Sequence, residues 1–493
     1  MRSTTRKTLE AVSSCNQHKV KPGQLKGGDI VTNPEQAEHA CKLHGEARQN
    51  EVCSGVFEHT FVLPKTEPLT VIEAIVKRYA NEDYYVYENP ASGQWQIALG
   101  MQAALVVTPT QVTQLHIDKP SLTEPLTQPI SELARNFVKA HGGHGWHTFG
   151  QAAFEYAAHI RGVLGTEQAS EKNWPLLSLM VPYSEITLNH QHVTIRTRDI
   201  ATLGKLQTLL AKEKHALGEY GVSAIDTRGG QAAHQQAAEA VLDVIHSGRC
   251  EKVTLSRQVA VPKRINMLGT FVQSRPIHTP SRSFLVKFMG REAMGFSPEL
   301  IVAVNGQTVL TEPVAGTRAL HSAMADNAQL RRDLHSDPKE IVEHAISVRE
   351  AVTEMSSFSH SVTVDKFMAT LERGSVQHLG SEVSGTLSAS KDAWHAFDEL
   401  FPSITASGIP KAESIEAILH IETESRGLYS GAILMLDEHN FEACLVLRSA
   451  FQDADKSWIQ AGCGMVGLST PEREFIETIE KFAGIAPYVV CEQ

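Results

Sequence analysis

The 493-residue chain is short of paired cysteines, of long apolar runs and of concentrated positive charge, and each shortage removes a class of function. Its seven cysteines, Cys15, Cys41, Cys53, Cys250, Cys444, Cys463 and Cys491, are odd in number, scattered and never spaced CxxC. That excludes a disulfide framework or a structural zinc site and suits a reducing, cytoplasmic setting. The longest apolar stretch, WQIALGMQAALVV from Trp95, is interrupted by Gln and falls short of the roughly 20 residues a membrane helix needs, so no membrane span is expected. No sustained Lys/Arg run accompanies a formal charge of -11, and nucleic acid is therefore not an expected partner. The opening residues lack the apolar centre of a secretory signal, although their basic, hydroxyl-rich character leaves an organelle transit peptide open. Patterns of the GxSxG, HExxH and P-loop kinds are missing, so hydrolase chemistry gets no support.

What is present is enough apolar material, 42% of residues, to bury a large core, with 20% charged residues. An acidic protein that binds an anionic metabolite must create local positive charge from a few placed Arg or Lys side chains or from a metal ion. Residues 1–55 are polar, without a steady apolar period, and read as an extension. From 56 to 226, β-rich runs such as EHTFVLP, YYVYENP, WQIALG and HVTIRTRD alternate with helical stretches such as PISELARNFVKA and TLGKLQTLLAKEKHAL. The segment GGHGWHTFG at 142–150 has no acidic or cysteine partner at ligand spacing and reads as a solvent-facing loop.

From 227 to 490 the signals sharpen. Ala237, Val241, Val244 and Ile245 recur at helical spacing up to Gly248, and the strand KVTLSRQVAVP follows, headed by Lys252. Short alternating runs broken by Gly and by Asn305-Gly306 then predict antiparallel hairpins. In SDPKEIVEHAISVREAV, Asp337 is a candidate N-cap, Pro338 the first helical residue and Glu340 the partner of a capping box, with Ile341, Ala345, Val348 and Val352 as the buried stripe. In STPEREFIETIEKFAG, Thr470 is the candidate N-cap and Pro471 the first residue, Phe475, Ile479 and Phe482 face inward, and Gly484 ends the helix.

Glu340 and Glu343 stand three apart on the first of these helices, and Glu474, Glu477 and Lys481 at i, i+3 and i+7 on the second. Two such carboxylate pairs could hold a hard divalent cation, for which Mg2+ is the natural candidate, whereas zinc would want His or Cys. Glu pairs at this spacing are also what any solvated amphipathic helix displays. The decision rests on the strings around them.

Those strings are EKVTLSR at 251–257, GFSPEL at 295–300, EPVAGTRAL at 312–320, KEIVEHAISV at 339–348, ERGSVQHLGS at 372–381, RGLYSGA at 426–432, AGCGM at 461–465 and PEREFIE at 471–477. In this order they resemble the chorismate-utilising enzymes over about 250 residues, from Cys250 to Tyr488. The resemblance implies an α/β (α+β) fold, a single large domain over 56–493 with a two-layer antiparallel β core surrounded by helices. Lys252 looks like the base that activates water in the branches that add water at ring C2. Ala315 stands where aminodeoxychorismate synthases with a covalent mechanism carry Lys, which disfavours that branch. KEIVEHAISV and GSVQHLGS look most like the salicylate synthases, which pass through isochorismate, and less like isochorismate synthases or anthranilate synthase component I.

The same resemblance assigns roles. A lysine serves as a general base only where burial or a nearby cation favours its neutral form, so Lys252 should sit in a closed site near the metal. Glu299 resembles the general acid for the departing C4 hydroxyl, a role that needs a raised pKa. Chorismate's ring carboxylate would meet Mg2+, held directly by Glu343 and Glu477 and through water by Glu340 and Glu474, beside Gly316, Thr317 and His378. The enolpyruvyl carboxylate would meet Tyr429, Arg448, the Gly462 and Gly464 backbone, and Lys481. Pyruvate loss would follow by a pericyclic hydrogen transfer from C2, which asks only for a held conformer. Cys463 and Gly467 depart from the commoner residues at their positions, a change that bears on pocket packing. The LLES string with which anthranilate synthases hold tryptophan is missing, so neither that regulation nor a glutaminase partner is expected; a monomer in siderophore biosynthesis is. An inactive binding protein on the same fold is the non-enzyme alternative.

Overall fold

The strand Lys252–Val261 starts where the sequence places it, after the helix Gln231–His246 and the left-handed Gly248 that stops that helix. It belongs to a computed structural model that describes residues 50–492 apart from 53–54, 64–66, 144, 166–172, 190–191, 212–215, 321–323 and 375. The extension expected over 1–55 lies outside the described residues, save for Gly55 and a strand, Asn50–Val52, that pairs with Val56–Val62.

Pairing runs outward from Lys252–Val261, which matches Ser457–Val466 along its whole length and Gly408–Ile409 at its start. The path continues through Ser449–Gln452, Arg291–Ser297 and Arg282–Phe288. Here the early half of the chain enters, with Tyr84–Asn89, Gln94–Val107, Leu177–Leu188 and Thr148–Ala152 following in order. Strands of the later half then resume: Ala432–Leu436, Asn440–Leu445, Leu300–Asn305, Thr308–Thr311 and Val376–Leu387. The last of these also carries Val314–Ala319 and Ser359–Arg373. All these pairings are antiparallel, and both ends of the path line one cavity, so the sheet folds back on itself as two layers. Eleven helices among the described residues pack around it. Because strands of the early half sit in the middle of the path, neither half can complete the sheet alone, and all described residues fall in one compact unit.

Ser457–Val466 shows what this burial demands. All ten of its residues are buried, and the run Ala461, Gly462, Cys463, Gly464 keeps side chains small where the cavity and a helix press against it. The Asn305-Gly306 hairpin is as expected, with Gly306 left-handed at φ 58°.

Several local readings are corrected. GGHGWHTFG is a solvent-facing loop only in its first part, where Gly145 is exposed: Trp146 is 3% exposed, and Thr148–Ala152 is a fully buried strand between Ala432–Leu436 and Leu177–Leu188. Long-range pairing overrode the local glycine and histidine signal. The helix within TLGKLQTLLAKEKHAL is Ile200–Leu210, and 216–217 are not helical. On Pro338–Phe358, Val348 is buried as expected, but Ile341, Ala345 and Val352 are only partly buried, while Glu340, Glu343, His344, Ser347, Ala351 and Met355 face inward. Ile479 is likewise partly buried, whereas Phe475 and Phe482 are buried as expected. Asp337 does cap its helix, accepting from the Lys339 amide at 2.9 Å, but Glu340 does not close a capping box, and the Thr470 hydroxyl makes no capping bond.

Replacing Phe149 by Ala separates the two readings of the 142–150 segment. Its ring is fully buried and lies 5.9 Å from that of Tyr85, so urea denaturation should show a loss of about 3–5 kcal/mol. A surface-loop residue would cost almost nothing.

Candidate active site

The helices Pro338–Phe358 and Pro471–Phe482 bring their acidic faces together. Glu340 and Glu474 are 0% exposed, Glu343 5% and Glu477 9%, so these are not solvated surface pairs. At the centre of the four stands the ammonium of Lys339, 3.0 Å from Glu343 and within 3.9 Å of each of the others. Lys252, fully buried, donates to Ser347 Oγ and pairs with Glu343, both at 3.2 Å. Lys481 pairs with Glu477 at 2.8 Å and donates to the Gly462 carbonyl at 2.7 Å.

Burial works to raise every one of these carboxyl pKa values, and the neighbours decide the outcome. Lys339 and Lys252 outweigh burial at Glu343, and Lys481 and Lys339 outweigh it at Glu477, so both are lowered. Glu474 is raised, by burial and then by the charge of Glu477. Glu340 is also raised by burial, although Arg318 and Arg473 each donate to its Oε1 at 2.7 Å and the Thr317 amide to its Oε2 at 3.0 Å.

Two observations bear on whether this donor set suits a hard cation. Both carboxylate oxygens of Glu474 are buried without a hydrogen-bond partner, and Gly464 has no room for a side chain because a Cβ there would stand 2.1 Å from Glu343 Oε1. Oxygen-only donors with spare lone pairs fit Mg2+. Among the described residues, however, no three acidic, imidazole or thiol groups stand ready-made as a metal cage; the four glutamates surround Lys339 instead.

Beside the cluster lies the cavity, lined by Gly316, Thr317, Glu343, His378, Tyr429, Arg448, Gly462, Gly464, Glu477 and Lys481. Ten of the fourteen expected site residues thus line one cavity. The other four lie directly behind it: Glu340 and Glu474 in the cluster, Lys252 behind Gly464 and Glu343, and Glu299 behind Pro298 and Thr405. Glu299 is 1% exposed, and burial lifts its pKa to about 8 even though Ser403 and Thr405 donate to it. It is therefore a neutral acid at pH 7, with a proton to give.

The cavity lining also carries the guanidinium of Arg448. Arg448 adopts a left-handed backbone, φ 50°, a conformation non-glycine residues hold only when their surroundings impose it. Burial, with Arg373 nearby, pulls its pKa down to about 9, and its guanidinium donates to His378 Nε2. His378 is held neutral, with its Nδ1–H given to the Gly316 carbonyl at 3.1 Å. Among the described residues this guanidinium makes no ion pair, and an incoming carboxylate would supply one. Tyr429, 2% exposed and raised by burial to about 12, remains a phenol beside Gly462.

Sequence reasoning missed Lys339, Arg318, Arg473, Ser347, Ser403 and Thr405. Lys339 could have been found, since it stands four residues before Glu343 on the same helix face. The partners of Glu299 arrive from a separate loop, and no spacing announces them.

Residues 82–487 match the sequence model of a family described as chorismate binding enzyme. A salicylate synthase from Mycolicibacterium paratuberculosis is 37% identical over 437 residues, covering 86% of this chain and 93% of that enzyme. Among solved structures, anthranilate synthase component I from Streptococcus pneumoniae superposes with a TM-score of 0.67 at 22% identity, over 80% of this chain and 92% of that one. The menaquinone-specific isochorismate synthase from Escherichia coli gives 0.67 at 19% identity, over 92% and 98%. At these identities the two structures speak for the fold.

Gly464→Ala isolates the cradle. The atom that must yield is the mobile tip of Glu343 rather than backbone, so the melting temperature should shift by only a few degrees. Where Glu343 ligates Mg2+, the affinity measured by calorimetry should fall at least tenfold as that carboxylate is pushed aside. Unchanged affinity would remove Glu343 from the metal site.

Proposed function

Because the chain belongs to the chorismate-binding enzyme family, we propose that it converts chorismate, by way of isochorismate, to salicylate and pyruvate. The observation that carries this reading is a buried carboxyl, Glu299, held protonated at the edge of a cavity that a buried lysine, Lys252, approaches from behind Glu343 and Gly464. Likeness to a salicylate synthase along 93% of that enzyme's length supports the full two-step outcome over a stop at isochorismate.

In this reading Lys252 takes a proton from the water that attacks ring C2, and Glu299 gives its proton to the hydroxyl leaving C4. Mg2+, held by Glu343 and Glu477 with Glu340 and Glu474 behind them, would supply the positive charge that neutralises the ring carboxylate. Thr317, the Gly316 backbone and neutral His378 flank that carboxylate without adding charge. Arg448, Tyr429 and Lys481, with the backbone of Gly462 and Gly464, take the enolpyruvyl carboxylate. The two anchors fix the substrate at both ends, which is what the second step needs: hydrogen moves from C2 to the side chain as pyruvate departs, and no further acid or base is required. A catalytic domain from residue 56 onward, with its chemistry in 227–490, would work as a cytoplasmic monomer without a glutaminase subunit, supplying salicylate for siderophore biosynthesis.

Purified protein given chorismate and Mg2+ should release pyruvate and fluorescent salicylate in equal amounts. Accumulation of isochorismate with no pyruvate would reduce the function to the first step, and binding without turnover would favour an inactive member of the fold. Lys252→Ala should abolish both products while leaving chorismate binding measurable.

Glu299 predicts a pH limb. Its acid form is needed and its folded-state pKa is about 8, so kcat should be sustained below that value and decline as pH rises through it. Glu299→Gln should lower kcat by about 10²–10⁴-fold and abolish the limb. A limb that persists in the variant would assign the proton to another group.

A further inference from the structure

Within the acidic cluster one cation is placed unlike the rest. The Lys339 ammonium is 3% exposed and lies 3.0 Å from Glu343, 3.7 Å from Glu477, 3.8 Å from Glu340 and 3.9 Å from Glu474. Among the described residues, Lys252 pairs with only Glu343 of the four, Lys481 with only Glu477, and Arg318 and Arg473 with only Glu340. We propose that Lys339 and the divalent cation compete for the same four carboxylates, so that the lysine neutralises the cluster in the metal-free protein, must swing away for Mg2+ to bind, and thereby sets the metal affinity. This rests on the metal reading of these glutamates given above.

The argument is electrostatic. A divalent ion ligated by these oxygens would stand in contact with the ammonium, and like charges at that separation in a water-poor site repel strongly. Without either, the four buried carboxylates would keep only the one-sided partners Lys252, Lys481, Arg318 and Arg473, none of them paired with Glu474, which is unfavourable in the other direction. One of the two cations must therefore be present, and both cannot be. Lys339 is built to yield: its backbone N–H is fixed by Asp337 at the start of the helix, while its head sits at the end of a four-carbon stem that can rotate without moving the helix. The two unpartnered oxygens of Glu474 also fit an incoming ion better than the ammonium, which approaches no closer than 3.9 Å.

Two measurements test this. In the wild-type enzyme, an amine-acylating reagent followed by peptide mass spectrometry should leave Lys339 nearly unlabelled in EDTA and label it several-fold more when Mg2+ saturates the protein. Lys339→Met, which keeps an unbranched stem one atom shorter and removes the charge, should bind Mg2+ at least tenfold more tightly by calorimetry and melt at a lower temperature than wild type in EDTA. Unchanged labelling in Mg2+-saturated wild type, or equal or weaker Mg2+ binding by the variant, would overturn the proposal. Should Lys339→Met not fold without metal, the wild-type labelling decides. If calorimetry shows no Mg2+ uptake by wild type, the metal reading itself falls, which is a distinguishable result.

Discussion

Everything about this site follows from burying four carboxylates between two helices. Glu340, Glu343, Glu474 and Glu477 come from segments more than a hundred residues apart, and anions of one sign do not collect in a dry interior unless positive charge is built in with them. Lys339 stands among all four, Lys252 and Lys481 each hold one from the side, and Arg318 and Arg473 clamp Glu340 from outside. The division of labour shows in the protonation. The two carboxylates nearest the cavity, Glu343 and Glu477, are kept ionised, while Glu340 and Glu474, behind them, are pushed toward neutrality. The inner pair is thus suited to bind a cation directly, and Glu340, already engaged by two guanidiniums and an amide, is suited to orient rather than ligate.

The scaffold serves this arrangement by closing a sheet back on itself. Lys252–Val261 and Ser457–Val466 bring up one wall of the cavity, and Val314–Ala319 with Val376–Leu387 the opposite one. Side chains had to be deleted where the helices press in: Gly464 gives way to Glu343, and Gly316, left-handed at φ 77°, lets the backbone pass close to Glu340. Strands of the early half hold the two walls together without contributing to the cavity lining. The early half is therefore as necessary to the geometry as the half that carries the chemistry.

Much of this was legible in the sequence because it rests on local rules. Proline at the first helical position, glycine past the last turn, and carboxylates three apart on one face are written in consecutive residues, and each lies where it was expected. What was not legible depends on partners distant along the chain. GGHGWHTFG carries loop-like residues throughout, yet its last three, from Thr148, enter a buried strand because Leu177–Leu188 and Ala432–Leu436 claim it from both sides. The apolar stripe assigned to Pro338–Phe358 was misplaced for a related reason: pattern reading assumes that the inward face is apolar, and here that face carries Glu340, Glu343, His344 and Ser347. Glu340, read as half of a capping box, was claimed by Arg318 and Arg473, whose approach no spacing predicts.

The contrast between the charge of the whole molecule and that of its cavity explains how an acidic protein can receive a dianion. A formal charge of -11 would repel such a substrate at long range, but salt screens that field beyond about 8 Å, so what counts is the charge within the first shell of the cavity. There the wall carries both signs: Glu343 and Glu477, with the ammonium of Lys481 beside Glu477, and separately the guanidinium of Arg448 against His378. A carboxylate finds its complement directly at Arg448, whereas beside the glutamates it can be held only if a cation lies between. In the proposed reading the acidic cluster would act as a specificity element, because a monoanion satisfied by Arg448 alone would leave a cation held by the glutamates unshared, and only a molecule with two carboxylates at the right separation would use both.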